Sequence, residues 1–369
     1  MTIGIVGAGQ LGRMLALAGY PLGLDFLFLD PAHDAPAGQV APVLHGSFTD
    51  PTLLSRLARK CDVLTFDWEN VSVDALRAHA AAAHKARICP PITALAAAQD
   101  RVSEKRLFER LGIPTTRWRA VSSRAQLERA LREIGIPGVL KTRRLGYDGK
   151  GQVRVRTAED AHRGWEELGA APLIYEEWVP FDCEVSIIGA RSTNGAKAIY
   201  PLNGNVHSHG ILRLTRAPYG PPRWQRAAAR HLQRCLTHFR YVGVLTIEFF
   251  VRDGRLIANE MAPRVHNSGH WTIEGCVTSQ FENHLRAILG LPLGSTRPLG
   301  FSAMVNLIGD IPPRAGLLAR EGVHVHDYGK QPRPGRKVGH CTVVEPTAAR
   351  RDRQARGLLA ELAPGLRIP

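Results

Sequence analysis

A glycine-rich turn close to the start of the chain constrains its fold more than any other feature. The segment "TIGIVGAGQLG" places Gly7, Gly9 and Gly12 as G-x-G-x-x-G between a predicted strand and a predicted helix. The next predicted strand ends at Asp30, where a dinucleotide-binding fold has the acid that takes a ribose hydroxyl. The alternative is that the glycines only permit a tight turn and expose backbone N–H groups to an anion. Both interpretations predict a parallel α/β sheet at the start of the chain.

A proline pair decides between these two interpretations. The alternation of strands and helices stops at "ICPPI", near residue 95. A dehydrogenase would continue the same sheet through a second mononucleotide-binding half. Because this chain does not, we interpret the glycine turn as a phosphate or substrate site, and an NAD-dependent oxidoreductase becomes the alternative.

The length of 369 residues exceeds one ordinary hydrophobic core, so more than one domain is expected. In the first part, the helix "PTLLSRLARK" is predicted to begin at Pro51 with Asp50 as its N-cap. Farther along, the predicted strands become longer and hairpin-like, and later still Gly and Pro become more frequent. We predict a Rossmann-like α/β domain at 1–95, a two-lobed α+β domain at 96–290 and a small C-terminal domain at 291–369.

Composition excludes several classes of function. Six cysteines occur without a C-x-x-C pair, which argues against a zinc site and against a disulfide framework. The 48 Lys and Arg residues give a net charge of +15, but their dispersal favours a solvated surface and anionic small molecules over nucleic acid. No apolar segment has membrane-spanning length and the first residues lack a signal peptide, so a cytoplasmic protein without a membrane partner is expected.

One predicted hairpin carries two acidic residues. In "LTIEFFVRDGRLIANE", Glu248 and Glu260 lie on opposite arms of an Asp253-Gly254 turn. A plain two-residue turn would pair Glu248 with Asn259 and place Glu260 on the other face, so a shared Mg²⁺ site requires a three-residue loop or a β-bulge. We predict that shift in register. The alternative is a pair of surface carboxylates, although an unpaired acid among apolar residues is costly.

Two later segments are rich in hydrogen-bond donors. The loop "APRVHNSGHW" follows the second acid, and such a loop suits a small anionic or hydroxylated substrate. The segment "PRPGRKVGH" adds a cluster of cationic side chains, and the two segments together are suited to clamping a phosphate ester. The candidates are Arg264, His266, Asn267, Ser268 and His270 in the first segment and Arg333, Arg336, Lys337 and His340 in the second.

A second glycine-rich segment, "KTRRLGYDGKGQ", does not fit a Walker phosphate loop. Lys141 precedes the glycines, and Lys150 is followed by Gly151 rather than by Ser or Thr. Lys141, "GYDGKGQ", "YEEWV" with Glu184 after it, and the two acids of the hairpin together resemble the ATP-grasp superfamily. The resemblance implies a nucleotide held between two α+β lobes beneath a mobile glycine-rich loop, preceded by a Rossmann-like pre-ATP-grasp domain.

The order of several motifs narrows this resemblance. "GAGQLGRM", "FDWENV", "GYDGKGQ", "NEMAPRVHNSGHW" and "RPGRKVGH", spread from Ile3 to His340, are similar to those of the 5-(carboxyamino)imidazole ribonucleotide synthase family of purine biosynthesis. The resemblance implies an ATP-dependent ligase that carboxylates 5-aminoimidazole ribonucleotide with bicarbonate through carboxyphosphate, in a Mg²⁺-dependent homodimer. Another ATP-grasp carboxylate-amine ligase is the alternative, but there we expect E-x-N-x-R, and Ala262 stands in place of the Asn after Glu260.

The resemblance also implies a role for each matching residue of the nucleotide site. Cationic side chains would neutralise the phosphates of ATP, the glycine-rich segment would cover them, and main-chain groups at the end of one strand would read adenine. The two acids of the hairpin, Glu248 and Glu260, would hold Mg²⁺. The implied ATP-binding residues are Arg101, Lys141, Gly146, Tyr147, Asp148, Gly149, Lys150, Gly151, Gln152, Glu176, Glu177, Trp178, Val179, Glu184, His207, Asn259 and Glu260.

The ribonucleotide site is implied in the same way. It would lie between the first glycine turn, the donor-rich loop and the second cationic cluster. The implied substrate-binding residues are Gln10, Leu11, Gly12, Glu69, His266, Asn267, Ser268, Arg336 and Lys337, and the implied catalytic residues are Tyr147, Asp148, Arg264 and Lys337.

Three positions depart from the family pattern. Asp67 stands where the family often has Glu, and Cys183 stands where a longer polar or basic residue is usual. Leu145 replaces the glycine before "GYDG". Since leucine restricts the backbone and offers a side chain to pack, we predict a stiffer hinge for the glycine-rich segment.

Overall fold

The computed structural model describes residues 1–81, 86–146, 150–169 and 171–363. Within these ranges the strands form three sheets, and helices cover them. The strands are β1 (Thr2–Val6), β2 (Asp25–Asp30), β3 (Val43–His45), β4 (Val63–Phe66), β5 (Arg87–Ile88), β6 (Trp118–Val121), β7 (Gly138–Thr142), β8 (Gln152–Val155), β9 (Leu173–Glu177), β10 (Cys183–Arg191), β11 (Lys197–Ile199), β12 (Asn203–Ser208), β13 (Ile211–Ala217), β14 (Gly243–Arg252), β15 (Arg255–Ala262), β16 (Phe301–Ile308), β17 (Val323–Asp327) and β18 (Lys337–Glu345).

The helices connect these strands along the same ranges. No helix in this part of the chain combines the length and the apolar composition that spanning a membrane requires. The α-helices are α1 (Gln10–Gly19), α2 (Pro51–Arg59), α3 (Val73–Ala81), α4 (Ile92–Ala98), α5 (Arg101–Arg110), α6 (Arg124–Ile134), α7 (Ala158–Leu168), α8 (Pro222–His238), α9 (Thr272–Gly275), α10 (Gln280–Leu289), α11 (Arg314–Leu318) and α12 (Ala348–Leu362), with 3₁₀ turns at Tyr20–Leu22, Pro36–Gln39 and Asn267–Gly269.

The N-terminal unit is built on a parallel sheet with the strand order β3-β2-β1-β4-β5. β4 is buried along its whole length, as a parallel sheet covered on both faces requires. Helix α2 begins at Pro51, and the Asp50 side chain accepts hydrogen bonds from the N–H groups of Thr52 and Leu53. The predicted parallel α/β sheet and the predicted N-cap are confirmed.

A second sheet has four antiparallel strands in the order β6-β9-β7-β8. Helices α6 and α7 pack on it, and Leu127 shares its apolar core with Leu140 and Tyr175. Helix α7 begins with a capping box, because Thr157 Oγ1 accepts from the N–H of Asp160 and the Asp160 carboxylate accepts from the N–H of Thr157. This small sheet carries Lys141 at the end of β7.

The largest sheet is antiparallel, with the order β15-β14-β10-β12-β13-β16-β18-β17 and β11 paired to β10. Strands β16 to β18 belong to the predicted C-terminal domain, yet β16 pairs with β13 of the preceding segment. Helix α12 packs Ala355, Leu358 and Leu359 over this end of the sheet. The two segments therefore share one sheet, and the domain boundaries at residues 95 and 290 stay predictions.

Helix α10 joins the N-terminal unit to the large sheet. Phe281 and Leu285 share one apolar core with residues of β1 and α1. The ring of His284 lies between the two units: its Nδ1 accepts from the N–H of Val244 at 3.2 Å, so its Nε2–H donates to Thr65 Oγ1 at 2.8 Å. Burial lowers the pKa of His284 to about 4, so this ring is neutral in the folded protein.

The neutral His284 predicts a loss of stability in acid. In the unfolded chain His284 binds a proton below pH about 6.5, whereas in the folded protein it stays neutral down to pH about 4. As the pH falls through that interval, the free energy of unfolding therefore decreases by up to about 1.4 kcal/mol per pH unit. His284→Gln keeps an acceptor and a donor but does not titrate. Thermal unfolding midpoints measured across this interval should therefore fall less steeply for the variant, and equal slopes would contradict the prediction.

Candidate active site

The hairpin of β14 and β15 brings its two acids face to face. Arg252 pairs with Arg255 across the Asp253-Gly254 turn, in which both residues have positive φ (51° and 71°). The register then shifts, so Phe249 pairs with Ala258 and Glu248 pairs with Glu260. Asn259 is the extra residue of a β-bulge. The predicted shift in register is confirmed, and a bulge produces it rather than a three-residue loop.

The two carboxylates have different surroundings. The side chains of Glu248 and Glu260 are 15% and 42% exposed, so solvent reaches both carboxylates, and we call the space in front of the pair the cleft. Burial raises the pKa of Glu248 to about 7. Burial alone would also raise the pKa of Glu260, but Arg101, whose Nη1 lies 3.2 Å from Glu260 Oε2, lowers it. Facing carboxylates in a cleft are hard oxygen donors that fit a divalent cation such as Mg²⁺.

A buried ion cluster lies behind this pair. The carboxylate of Glu176, 2% exposed, lies 3.1 Å from Lys141 Nζ and 3.2 Å from Lys105 Nζ, and Thr116 Oγ1 donates to it at 2.9 Å. Burial would raise the pKa of Glu176, but the two lysines hold it below its usual range. Burial lowers the pKa of Lys141, and the negative charge of Glu176 offsets only part of that decrease. The Glu176 side chain therefore holds two cations in place and does not line the cleft.

The start of α5 anchors the segment that precedes the second glycine-rich loop. Asp100 caps the helix through the N–H groups of Val102 and Ser103, and it also binds Arg143 at 2.7 and 3.1 Å. The N–H of Arg101 donates to the carbonyl of Arg143 at 3.0 Å. This arrangement holds the Arg101 guanidinium beside the hairpin acids.

The described parts of the glycine-rich segment show how it leaves β7. Leu145 has a φ of 63°, and its side chain is 72% exposed. Most of this side chain is therefore exposed to solvent, and the turn imposes a left-handed backbone that leucine adopts at a cost. The stiffer hinge stays a prediction. A side chain at Gly151 (φ 69°) would lie 2.7 Å from Thr142 Oγ1, so the loop closes directly on β7. The predicted site residues Tyr147, Asp148 and Gly149 lie outside the described residues.

The predicted adenine and ribose residues lie at the end of β9 and on β10. The Glu177 carboxylate pairs with Arg117 at 2.8 Å, and Val179 is buried. The guanidinium of Arg154 lies 4.5 Å from the ring centre of Trp178. Arg154 belongs to β8, so its guanidinium covers the indole that follows the end of β9.

An acid and a histidine pair on the large sheet. Glu184 Oε2 lies 2.8 Å from His207 Nδ1. Burial would lower the pKa of His207, but the hydrogen bond to Glu184 raises it. The negative charge of Glu248 acts on the pKa of His207 in the same direction. Because β10 lies between β12 and β14, Glu184, His207 and Glu248 belong to three neighbouring strands.

The donor-rich loop reaches both the hairpin and the N-terminal unit. Arg264 forms an ion pair with Glu69, and His266 Nε2 lies 3.3 Å from Glu248 Oε1. Burial, with the charge of Arg264, lowers the pKa of His266 well below its usual range. Asn267 exchanges two amide hydrogen bonds with Asn306. The loop therefore brings Glu69 of the N-terminal unit to the same side of the cleft as the hairpin acids.

Some residues of this loop and of the second cationic segment support others instead of lining the cleft. The Ser268 hydroxyl is fully buried and bonds Ser186 at 2.8 Å, so its role in substrate binding stays a prediction. His270 and His340 are fully buried, with ring centres 5.0 Å apart. Arg336 is only partly buried and donates to the carbonyl of Gln331 at 3.1 Å, so its role in phosphate binding stays a prediction.

Three lysines have roles in this region, and only one of them was predicted from the sequence. Lys337, which was predicted, begins β18 and lies close enough for its charge to act on Glu248. Lys330, which was not predicted, donates to Gln10 Oε1 at 2.5 Å. Lys105 was missed as well, although acidic and basic residues alternate around it in "DRVSEKR" and point to a charged helix face.

Comparisons with known proteins agree with this geometry. Three family models match in chain order: a ribonucleotide synthetase preATP-grasp domain at 1–99, an ATP-grasp domain at 106–281 and a phosphoribosylaminoimidazole carboxylase C-terminal domain at 302–354. A Pseudomonas aeruginosa protein named N5-carboxyaminoimidazole ribonucleotide synthase is 50% identical over 343 residues, which cover 93% of this chain and 94% of that protein. The chain belongs to the N5-carboxyaminoimidazole ribonucleotide synthase family.

Solved structures of the N5-carboxyaminoimidazole ribonucleotide synthase family share the whole fold. The Thermus thermophilus enzyme has a TM-score of 0.94 and 49% identity, covering 100% of both chains. An Aspergillus clavatus relative, described in complex with ADP and 5-aminoimidazole ribonucleotide, has a TM-score of 0.89 and 31% identity over 97% of both chains. The predicted ATP-grasp fold, with its Rossmann-like first domain, is confirmed.

In this member of the synthase family, the first glycine turn does not present a free anion site. The N–H of Gly9 donates to Asp67 Oδ2 at 2.5 Å, and that of Gly12 donates to the same oxygen at 3.2 Å. The N–H of Ala8 donates to Asp30 Oδ2 at 2.7 Å. Carboxylates of the chain accept from the N–H groups that a dinucleotide phosphate would need, which argues against the phosphate part of our interpretation. The substrate part of that interpretation stays a prediction.

The strained Leu145 leads to a prediction for the synthase loop. Leu145→Gly should raise the free energy of unfolding by about 1 kcal/mol, because glycine adopts positive φ without a Cβ clash. Urea unfolding monitored by tryptophan fluorescence measures this change. The matched control is Leu299→Gly. Leu299 is also exposed, but its φ is not positive, so this substitution should not stabilise the protein. A less stable Leu145→Gly variant would contradict the prediction.

Proposed function

We propose that the protein carboxylates 5-aminoimidazole ribonucleotide with bicarbonate at the expense of ATP, through carboxyphosphate, giving N5-carboxyaminoimidazole ribonucleotide, ADP and phosphate. The observation that carries this proposal is the hairpin register, which sets Glu248 opposite Glu260 with Arg101 and His266 as their neighbours. The relatives support it as well, because the Aspergillus clavatus protein is described with ADP and 5-aminoimidazole ribonucleotide bound. The product belongs to purine biosynthesis.

For the nucleotide half of the site, we infer that ATP lies between the small sheet and the hairpin. Arg101 and Lys141 converge there from α5 and β7, and both are held by carboxylates that orient them. Phosphates approaching these cations would replace part of their present ion pairing. The segment from Gly146 to Gln152 would cover the phosphates and exclude water from carboxyphosphate. Adenine would meet the main chain from Glu176 to Val179, and the ribose hydroxyls would meet Glu184.

For the metal, we infer that Glu248 and Glu260 hold Mg²⁺. Bound there, Mg²⁺ would stabilise negative charge on the phosphates during transfer of the γ-phosphoryl group to bicarbonate. Arg101 beside Glu260 would add a positive charge on the same side. His266 contacts Glu248 and is neutral, so it would orient that carboxylate without competing for the cation.

For the ribonucleotide half, we infer a site between α1, the donor-rich loop and the start of β18. Gln10, Leu11 and Gly12 begin α1, and the Arg264–Glu69 ion pair lies on the other side. Arg264, His266 and Asn267 would face the reacting carbon, while Arg336 and Lys337 would take the phosphate ester. Asp148, with Lys337, would position the amine and accept its proton, and Tyr147 would stand beside them. The homodimer and the cytoplasmic location stay predictions from the family resemblance.

One assay tests the proposed reaction. Release of ADP should depend on bicarbonate and should be stimulated by 5-aminoimidazole ribonucleotide, because the amine consumes carboxyphosphate. A coupled assay measures ADP with each component omitted in turn. Another carboxylate-amine ligase would show ADP release with its own amine but no response to this ribonucleotide, and that outcome would reject the substrate assignment.

The facing carboxylates give a second prediction. Glu248→Gln should lower the rate of Mg²⁺-dependent ADP release by about a hundredfold or more, because one hard ligand and one negative charge are lost. Excess Mg²⁺ should recover part of the rate. Glu282→Gln, which removes a carboxylate paired with Arg286 on α10, is the matched control and should leave the rate unchanged. Full activity in Glu248→Gln would exclude this residue as a ligand.

A further inference from the structure

The three glycines of the first turn make room for one side chain of the protein itself. A Cβ atom at Gly7 would lie 1.6 Å from Asp67 Oδ1, and one at Gly9 would lie 2.9 Å from Asp67 Oδ2. At Gly12 the corresponding distance to Asp67 Oδ2 is 3.2 Å. We name this space, lined by Gly7, Gly9 and Gly12, the glycine cradle. Contact with this carboxylate therefore requires glycine at Gly7 and Gly9, whereas at Gly12 a Cβ would meet Phe28 Cε1 first, at 2.9 Å.

Asp67 reaches the glycine cradle because of strand order. β4 lies beside β1 with Phe66 opposite Val6, so the residues that follow the two parallel strands meet at one edge of the sheet. Asp67 is 7% exposed, and its Oδ2 accepts from Gly9 and Gly12 at the N-terminus of α1. A helix N-terminus favours such an anion. Burial raises the pKa of Asp67 to about 7, and the two N–H donors oppose that rise.

The same short turn also reaches the donor-rich loop. Glu69, two residues after Asp67, pairs with Arg264. The start of α1, held by Asp67, carries Gln10, which Lys330 contacts from the C-terminal segment. The turn that contains Asp67 and Glu69 therefore holds both Gln10 and Arg264, which we place on opposite sides of the inferred ribonucleotide site. Asp67 accepts hydrogen bonds from Gly9 and Gly12, and neither glycine is among the residues that we assign to ATP.

We propose that Asp67 is a positioning residue for the ribonucleotide: its carboxylate fills the glycine cradle and holds the start of α1, with Gln10, Leu11 and Gly12, in the orientation that binds this substrate. The proposal rests on the proposed function and deepens it. It also gives the glycine motif a purpose without a bound cofactor, since the anion at the helix N-terminus is supplied by the chain.

Asp67→Ala tests this proposal by emptying the cradle. The KM for 5-aminoimidazole ribonucleotide should rise about tenfold, as expected for the loss of two hydrogen bonds at a helix N-cap, while the KM for ATP stays unchanged. Calorimetric titration with the ribonucleotide, in the presence of Mg-ADP, should show the same loss of affinity. Added formate, an anion of the size removed, should restore part of that affinity.

Asp67→Asn keeps the shape of the side chain but removes its negative charge, so it separates these two contributions. It also tests the proposal if Asp67→Ala does not fold. Its amide oxygen can accept from Gly9 and Gly12. At pH 8, where Asp67 is ionised, the KM for the ribonucleotide should therefore rise only about threefold, because an ionised acceptor binds about twice as strongly as a neutral one. Formate should have no effect, since the cradle is filled. Asp50→Ala removes a carboxylate that caps α2 in the same unit, and it should lower thermal stability without changing either KM.

The outcomes separate this inference from the function on which it rests. If the wild-type protein responds to the ribonucleotide and Asp67→Ala binds it normally, only the positioning role is overturned. Equal increases in both KM values would also overturn it, because they indicate a general loss of structure. If the wild-type protein itself shows no response to the ribonucleotide, the proposed function fails.

Discussion

The β-bulge at Asn259 is the constraint on which the site depends. Side chains alternate along a strand, so one extra residue determines whether Glu260 faces Glu248 or the opposite side of the sheet. A bulge also leaves backbone groups without strand partners. Helix α5 supplies partners for two of these groups: Lys105 Nζ donates to the carbonyl of Asn259 at 2.9 Å, and the Glu104 carboxylate accepts from the N–H of Met261 at 2.6 Å. The register is thus held from outside the hairpin.

Lys105 connects that bulge to the small sheet. Its ammonium group binds the Asn259 carbonyl and the Glu176 carboxylate, and Glu176 also binds Lys141. Removing one partner from a buried ion pair leaves an uncompensated charge and costs roughly 3–5 kcal/mol. The hairpin acids and the cations that face them therefore form one unit, and a change at Lys105 would disturb both lobes together.

Much of this arrangement was predictable, and the limit has a physical cause. The Asp50 cap, the parallel sheet and the bulge follow from local patterns or from the parity of side chains along a strand. Asp67 at Gly9, Lys105 at Asn259 and Lys330 at Gln10 join residues 58, 154 and 320 positions apart, and no periodicity links them. The positive φ of Leu145 was not predicted either, because the geometry of the turn determines it and the side-chain pattern does not.

The first glycine motif shows why such a signature is ambiguous. Its chemistry is a set of N–H groups at a helix N-terminus, which any anion satisfies, whether it is a bound phosphate or a carboxylate of the same chain. The deciding residue lies outside the motif, at the end of the adjacent parallel strand, where Asp67 follows Phe66. An acid there that reaches the glycines leaves no room for a pyrophosphate. The strand beside the motif, and not the glycines, therefore determines whether this turn binds a cofactor or stabilises the protein's own helix.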